Sequence, residues 1–454
     1  MRPLCTYLAS LLLLAVPLFS AAEPHRVSLA KDGERWSFYV DGKPFYANGA
    51  STHMFFAEIA PFGANTVRRY TLKDDQKTRD LLDLLAENSL MLHAGLGFKQ
   101  VRSGYYDADP EKAICDQENS IIHVVDTFKD HPAILCWSIG NEFEIANQEK
   151  PLLEQYESIQ RIAAKIHEID PNHPVTLAIT EYVTPAKIHG LKDICKDLDF
   201  LSCNCYIRPD GTFPMVPCLD EIGWDKPFIS TELGPEGWWH HEQLGKRYTP
   251  WKAVADYTST EKEEKYVYCI ENVIHDPRCI GILSFLWGYQ RSWRDEVKEW
   301  YGMVDRDMYT YGAVDVMQYY WTGQYPEKRA PRIEHSTDMK MNGKCWDAYI
   351  TVGAGSSNNA AVKVKNVTGE KLRYHWRIVR ERESNPDGSF HDGLPGLILK
   401  DGSKKVKFRA PYESGAYRLY IHVYDDVNRK AAYASIPFFV AGDVEELPDL
   451  GGRP

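Results

Sequence analysis

Residues 132–142 read PAILCWSIGNE, an apolar run that ends in an asparagine and a glutamate. A short apolar run of this kind, preceded by proline and followed by glycine, is typical of a parallel strand that is buried on both faces. A second stretch, KPFISTELG at 226–234, has the same design and places Glu232 after its apolar residues. A carboxylate at the end of a buried strand is costly unless it has a partner or a function. These two stretches therefore predict buried parallel strands, and the glutamates at their ends are the first candidates for a functional site.

The segment around them, from residue 36 to 325, alternates between strand-like and helix-like patterns. Eight short apolar runs predict eight buried strands: 45–50, 65–70, 90–95, 133–139, 175–179, 200–206, 228–231 and 281–287. Segments of helical period lie between them, for example 75–87, 153–169 and 260–274. This alternation predicts an α/β fold, a (β/α)8 TIM barrel, whose active site lies at the C-terminal ends of its strands. A doubly wound open sheet is the alternative, and the lack of a glycine-rich phosphate loop after the early strands disfavours it.

The helical pattern stops after a proline- and charge-rich joint at 324–331. Runs that alternate apolar and polar residues follow it, at 361–364, 372–378, 405–408, 417–424 and 435–440. Such alternation predicts an all-β sandwich, immunoglobulin-like in kind, that follows the barrel. We expect this domain to pack against the barrel and its Trp376 and Tyr417 to lie in its core.

The first 22 residues predict export. Arg2 gives a positive start, a leucine-rich run follows, and Ser20-Ala21-Ala22 supplies the small residues of a cleavage site. The apolar run is too short for a membrane span, so we expect a secreted or periplasmic protein that does not associate with membranes. The chain then divides into a signal peptide (1–22), a barrel domain (23–325), a linker (326–332), a sandwich (333–442) and a tail (443–454).

The composition limits the partners and cofactors. A net charge of −11, which the loss of Arg2 would make more negative, disfavours nucleic acid and favours a neutral glycan over an anionic one. Cys203 and Cys205 lack the spacing of a zinc site, so we expect neither a metal nor a cofactor. Cys269 and Cys279 could form a disulfide or remain thiols. The aromatic content of 12% fits either a large core or flat platforms for sugar rings.

Glu142 ends the fourth predicted strand and Glu232 the seventh, so the barrel places them over the same mouth from nearly opposite sides. Two carboxylates in this arrangement are what cleavage of a glycosidic bond needs, one as proton donor and one as nucleophile. Glu144 and Glu236 compete for these assignments. They lie two residues beyond the strand ends, and we expect them to be solvated or to support the site from behind.

The residues around both glutamates resemble those of clan A glycoside hydrolases, especially the barrel domain of family 2. Asp130-His131-Pro132 with Trp137-Ser138-Ile139-Gly140-Asn141-Glu142 is similar to the acid/base signature of the clan. Lys226-Pro227 with Thr231-Glu232-Leu233-Gly234 resembles its nucleophile strand. Three shorter stretches are also similar to strands of the clan: residues 63–68, Asn204-x-Tyr206 and Phe285-Leu286-Trp287-Gly288.

The resemblance implies a role for each matching residue. Glu142 would be the general acid and then the general base, and Glu232 the nucleophile that forms a glycosyl-enzyme intermediate. Asn141 would bind the 2-hydroxyl of the sugar at the cleavage point. Arg68 and Tyr206 would hold Glu232 and favour its ionised form.

Aromatic residues near the two glutamates are the candidate sugar platforms. The resemblance implies that Trp287 forms the floor of the sugar subsite. Trp238 and Trp239 follow the strand of Glu232 closely, and we expect their loop to contact the substrate. Tyr70, Phe98 and Trp293 are further candidate stacking surfaces.

The order of domains bears on the substrate. Family 2 places large β-sandwich domains before its barrel, whereas here only a short segment precedes the first predicted hairpin at 36–46. A barrel followed by one immunoglobulin-like domain resembles secreted β-glucanases such as those of glycoside hydrolase family 158.

The sequence therefore predicts a retaining β-glycoside hydrolase that acts by double displacement on a neutral polysaccharide or oligosaccharide, with β-glucan favoured. Its two carboxyl groups should lie about 5–5.5 Å apart. A β-glucan transglycosylase and a non-catalytic carbohydrate-binding protein on the same barrel are the alternatives.

Overall fold

The computed structural model describes residues 24–99, 104–143, 149–180, 191–208, 210–237, 246–290, 299–381 and 393–442. The predicted signal peptide and the predicted C-terminal tail lie outside these residues. Within the described ranges, no helix combines the length and the apolar character that crossing a bilayer requires.

A small antiparallel sheet begins the described chain. It contains β1 (Val27–Asp32), β2 (Arg35–Val40) and β3 (Lys43–Phe45), in that order. The hairpin of β2 and β3 is as predicted, whereas β1 had not been predicted. Phe38 of β2 is fully buried and meets Phe200 edge-on, with 5.3 Å between the ring centroids. The sheet therefore closes the end of the barrel opposite to the mouth.

Eight parallel strands form the closed barrel, in the order β10-β11-β4-β5-β6-β7-β8-β9. Their bounds are β4 (Ala47–Thr52), β5 (Thr66–Arg69), β6 (Met91–Leu96), β7 (Ile134–Asn141), β8 (Val175–Thr180), β9 (Phe200–Tyr206), β10 (Phe228–Gly234) and β11 (Cys279–Trp287). Each corresponds to one predicted strand, so the TIM barrel is confirmed and the open sheet is excluded. Almost every residue of these strands is buried, because the helices cover one face and the packed interior the other.

The helices of the described residues pack around the barrel: α1 (Gln76–Glu87), α2 (Pro110–Phe128), α3 (Glu149–Ile169), α4 (Leu191–Ile194), α5 (Met215–Glu221), α6 (Ser259–Glu271) and α7 (Gly312–Thr322). Local sequence explains where several begin. The Asp75 carboxylate caps α1 by accepting from the Thr78 amide, and Thr258 and Glu261 form a capping box at the start of α6. The predicted helices at 75–87, 153–169 and 260–274 are confirmed, with boundaries that differ by a few residues.

The C-terminal domain consists of two four-stranded sheets. One has the order β12-β14-β17-β16 and the other β13-β19-β18-β15. The strands are β12 (Met339–Met341), β13 (Thr351–Gly353), β14 (Ser357–Val362), β15 (Arg373–Arg380), β16 (Ile398–Lys400), β17 (Lys405–Arg409), β18 (Gly415–Asp425) and β19 (Lys430–Ala441). All neighbouring strands are antiparallel except β13 and β19. Trp376 and Tyr417 are buried in the shared core, as predicted.

The sandwich packs on α6 and α7 of the barrel through buried charged residues. Lys430 of β19 forms an ion pair with Asp315 of α7, and Arg418 of β18 donates to the Val254 carbonyl. The predicted linker is attached to the barrel, because Arg329 and Arg332 both form ion pairs with Glu263 of α6. The five domain limits given above stay predictions.

Glu299 titrates at this interface, and its removal should change the pH dependence of stability. Burial raises the pKa of Glu299 to about 7, although Arg377 opposes this shift, and neutral His422 and Tyr311 also contact it. The unfolded carboxyl ionises near pH 4.5, so unfolding releases a proton between these values and stability falls as pH rises from about 4.5 to 7. Glu299→Gln lacks this titration. Between pH 4.5 and pH 7 its free energy of unfolding should therefore rise relative to that of wild type by up to about 3 kcal/mol.

Thermal or urea denaturation at pH 5 and pH 7.5 measures this difference. Glu264→Gln, an exposed position on the same side of the barrel in α6, is the matched control and should show the wild-type pH slope. Equal slopes for wild type and Glu299→Gln would contradict the assignment.

The nine cysteines in the described ranges are all free thiols. Cys269 donates to the Gly234 carbonyl at 3.2 Å, and Cys279 lies 3.2 Å from the Tyr46 hydroxyl. The disulfide considered between Cys269 and Cys279 is therefore not formed. Burial raises the pKa of the Cys279 thiol to about 11, so it remains protonated.

Candidate active site

Glu232 lies near the C-terminal end of β10, at the mouth of the barrel, and is almost fully buried. Its Oε1 accepts hydrogen bonds from Arg68 Nη1 at 3.0 Å and from the Tyr70 hydroxyl at 2.7 Å. Its Oε2 accepts from the Tyr206 hydroxyl at 2.5 Å. A buried guanidinium and two phenols on one carboxylate stabilise its charged form.

The two phenols remain donors over the ordinary pH range. Burial and the charge of Glu232 raise the pKa of Tyr70 and of Tyr206 well above the value of a free tyrosine. Tyr206 was singled out from the sequence as a partner of Glu232, and the structure places it there. Tyr70 was predicted as a stacking surface, which stays a prediction, and its hydrogen bond to Glu232 had not been predicted.

The Tyr70 ring packs against buried Arg68 and exposed His53. The Arg68 guanidinium lies 4.5 Å from the Tyr70 ring centroid, and the His53 ring stacks on it at 5.2 Å. Arg69 Nη1 donates to His53 Nδ1 at 3.0 Å. Because a guanidinium can only donate, this bond leaves the proton of a neutral His53 on Nε2.

Glu142 follows β7 directly and lies across the barrel from Glu232. Its backbone is in the left-handed region, with φ of 50°, a conformation that non-glycine residues adopt at a cost of about 1–3 kcal/mol. The Glu142 amide donates to the Ala178 carbonyl of β8 at 2.9 Å, which fixes this backbone. Gly140, just before it, has φ of 73° and would place a Cβ 2.7 Å from Phe98, so only glycine fits there. Glu142 is half-buried, more open than Glu232.

A network of amides links the two glutamates. Asn204 of β9 donates from Nδ2 to Glu142 Oε1 at 2.8 Å, and its Oδ1 accepts from Arg68 Nη1 at 2.9 Å. Asn141 Oδ1 accepts from Arg68 Nη2 at 2.6 Å and from Asn204 at 3.0 Å. Arg68 and Asn204 therefore fix both carboxylates relative to each other. The role of Asn141 on a sugar hydroxyl and the separation of about 5–5.5 Å stay predictions.

The remaining candidate residues lie in different positions. Trp287 is fully buried, and its indole N–H donates to the Phe55 carbonyl at 2.8 Å. Its role as the floor of a sugar subsite stays a prediction. Phe98 is buried against Phe143, with 5.9 Å between the ring centroids, and serves the core. Trp238, Trp239, Trp293 and Glu144 lie outside the described residues.

Glu236 is not solvated, which corrects one of the two expectations for it. It is buried and accepts from Lys265 Nζ at 2.8 and 2.9 Å and from the Tyr257 hydroxyl. Burial acts to raise the pKa of Glu236, but Lys265 and Tyr257 outweigh it, and the pKa is lowered. Glu236 is thus a fixed charge behind the site, paired with its own cation.

The chain is similar to known glycosidases. Residues 84–258 match the family model described as glycosyl hydrolases family 2, TIM barrel domain, and this segment contains both Glu142 and Glu232. No curated protein is significantly similar to the chain.

Similar solved structures include the β-glucuronidase of Bifidobacterium dentium, with 17% identity, coverage of 67% of this chain and 50% of that one, and a TM-score of 0.48. The β-D-glucuronidase of Dictyoglomus thermophilum has 15% identity, coverage of 66% and 55%, and a TM-score of 0.48. A β-glucuronidase from an uncultured Clostridium species has 17% identity, coverage of 66% and 54%, and a TM-score of 0.49. The chain spans about half the length of these proteins. Residues 84–258 of this chain are thus similar to the TIM barrel domain of family 2 glycosyl hydrolases.

Proposed function

We propose that this protein is a retaining β-glycoside hydrolase, with Glu232 as nucleophile and Glu142 as acid and base. The observation that carries the proposal is the contrast between the two linked carboxylates. Glu232 is buried under three donors that stabilise its charge, as a nucleophile requires. Glu142 is half-buried with Asn204 as a donor, which suits a group that gives and takes a proton.

The reaction proceeds in two displacements. Glu232 attacks the anomeric carbon, while Glu142 protonates the departing glycosidic oxygen. The C–O bond to the leaving group breaks as the bond to Glu232 forms, and the product alcohol leaves. Glu142, now a carboxylate, takes a proton from water, whose oxygen displaces Glu232 from the anomeric carbon. Two inversions give net retention.

The three donors on Glu232 favour the second step in particular. In the intermediate the carboxylate has become an ester and has lost its charge, so the bonds from Arg68, Tyr70 and Tyr206 weaken. When water attacks, the charge returns to Glu232 and these bonds strengthen. Interactions that are stronger in the transition state than in the intermediate lower the barrier.

The substrate that we propose is a neutral β-linked glycan, with β-glucan favoured, and the proposed place of action is outside the cytoplasm. The excess of acidic residues and the β-sandwich that follows the barrel support this proposal. A screen on laminarin, mixed-linkage glucan, mannan, galactan and aryl β-glycosides should give turnover on a β-glucan.

Proton NMR of the first products tests the mechanism. A retaining enzyme releases the β-anomer first, and the α-anomer appears only later by mutarotation. Initial release of the α-anomer would exclude double displacement. Longer oligosaccharides formed at high substrate concentration would indicate the transglycosylase, and binding of a glycan without any cleavage would indicate the non-catalytic protein.

A further inference from the structure

The eighth barrel strand ends in an aromatic residue that is covered in the structure. Trp287 has 0% of its surface exposed, and its ring packs against Phe62 with 5.6 Å between the centroids. An aromatic ring stacks on a sugar only through a face that is open to the cleft. In this structure Trp287 therefore presents no open face to a sugar ring, and a more exposed neighbouring ring is the better candidate for stacking on this side of the mouth.

Phe55 and Tyr289 are in the right place for this. Phe55 lies three residues after β4, and Tyr289 lies two residues after β11. Both are half-buried, with ring centroids 6.1 Å apart and planes tilted by 59°. In the barrel, β4 and β11 are neighbours, and β11 is next to β10, which carries Glu232. The two rings therefore form a pair, here called the aromatic corner, in the segments that follow β4 and β11 at the mouth of the barrel, one strand away from the strand of Glu232.

The backbone around the aromatic corner adopts conformations that few residues tolerate. Phe55 has φ of 57°, a conformation that non-glycine residues rarely adopt. The Trp287 indole N–H donates to the Phe55 carbonyl at 2.8 Å and holds it there. Gly288, directly after Trp287, lies against Met54, where a Cβ would come within 2.9 Å of the Met54 side chain. Unfavourable backbone conformations that the surroundings enforce cluster at ligand sites.

We propose that Phe55 and Tyr289 stack on the apolar face of a sugar ring of the substrate, and that Trp287 is a positioning residue that holds Phe55. This inference rests on the proposed function and names the chemistry of the ligand. A β-linked glucosyl unit carries its substituents equatorially, so its ring C–H groups form flat apolar faces that match aromatic rings. The aromatic corner therefore favours gluco-configured units over those with an axial hydroxyl.

Phe55→Gly tests the aromatic corner, because it removes the ring and leaves the positive φ at this position without strain. Glycine adopts a positive φ freely, but the variant also loses the packing of the Phe55 ring against the barrel core, so circular dichroism and a thermal melt should first establish that it is folded at the assay temperature. With laminaritetraose as substrate, KM should rise about tenfold and kcat should stay within about threefold, because stacking contributes to binding rather than to the chemical step. Tyr289→Ala should behave in the same way.

Tyr349→Gly is the matched control. Tyr349 is also an aromatic residue in the left-handed region, with φ of 48°, but it lies on the sandwich and is 42% exposed. Its KM should equal that of wild type. A wild-type KM in both Phe55→Gly and Tyr289→Ala would overturn the inference.

Trp287→Phe distinguishes positioning from direct contact. It keeps a ring but removes the N–H that holds Phe55, so KM should rise, and the double variant with Phe55→Gly should be no worse than Phe55→Gly alone. If the rise in KM of the double variant equals the product of the rises in the two single variants, Trp287 contacts the sugar independently of Phe55, and its assignment as a positioning residue is overturned.

Calorimetry separates this inference from the proposed function. Laminaritetraose titrated into Glu232→Gln gives a Kd that does not depend on turnover, and adding Phe55→Gly should weaken it about tenfold. If wild type cleaves no β-glycoside, the proposed function fails, and this Kd still decides whether the aromatic corner binds sugar. An unchanged Kd would overturn the inference.

Discussion

Glu232→Ala should abolish turnover of an aryl β-glycoside, with a loss in kcat of more than about 10⁴-fold, because the variant lacks the carboxylate that forms the proposed intermediate. Added azide should restore turnover. The small anion enters the space left by the carboxylate and attacks the same face of the sugar, so the product is the α-glycosyl azide. NMR of this product identifies Glu232 as the nucleophile and not merely as a residue that the fold needs.

The control must account for the buried Arg68. Glu232→Ala leaves this guanidinium with the Thr231 carbonyl and the Asn141 and Asn204 amide oxygens but without its carboxylate. Loss of one partner of a buried pair destabilises proteins by about 3–5 kcal/mol. Glu232→Gln keeps the shape of the side chain and should be equally inactive with less loss of stability. Glu236→Gln breaks a buried pair with Lys265 behind the site and should keep turnover. An active Glu232→Ala or Glu232→Gln would mean that the nucleophile is another residue.

The barrel could be predicted because its strands are buried on both faces. Burial of this kind makes short continuous apolar runs, and all eight correspond to strands. The polar residues at their ends, Glu142 and Glu232, stand out against these runs. The strands of the sandwich were harder to predict from sequence, because three-residue strands such as β12, β13 and β16 are too short to show an alternating pattern. Strand β1 was missed for a similar reason, since it packs only one residue, Val27, fully into the core.

The contacts between strands could not be predicted in the same way. Tyr70 and Glu232 are 162 residues apart in sequence and meet only because β5 and β10 close into one barrel. An exposed-looking tyrosine at a strand end is equally compatible with stacking and with hydrogen bonding. Asn204 presented the same difficulty, since its resemblance to the clan motif gave no partner. The structure supplies Glu142 and Arg68 as those partners.

The burial of residues at and after the strand ends could not be predicted either. Glu236 was expected near solvent or in support because it follows a strand end by two residues, yet Lys265 of α6 reaches it and makes burial tolerable. Trp287 belongs to a motif that implies a sugar floor, a role that stays a prediction, and the motif did not reveal its contacts with Phe62 and the Phe55 carbonyl. In both cases the deciding residue comes from a distant segment, and sequence spacing carries no information about it.

Glu142→Ala should affect substrates according to their leaving groups. A dinitrophenyl glycoside departs without protonation, so its cleavage to the intermediate should be nearly unchanged. A glucan or an alkyl glycoside needs a proton on the departing oxygen, and its kcat/KM should fall by about 10²–10⁴-fold, the usual contribution of general acid catalysis. Plotting log kcat/KM against leaving-group pKa should therefore give a much steeper slope for the variant than for wild type.

Azide gives the complementary stereochemical result for this variant. Without Glu142, water lacks its general base and the intermediate accumulates on Glu232, so an initial burst of dinitrophenol should precede slow turnover. Azide needs no base and enters from the side of the missing Glu142, opposite to Glu232, so the product is the β-glycosyl azide. The two variants thus give azides of opposite configuration, which no structural role of either glutamate would produce. An α-azide from Glu142→Ala would mean that the two roles are exchanged.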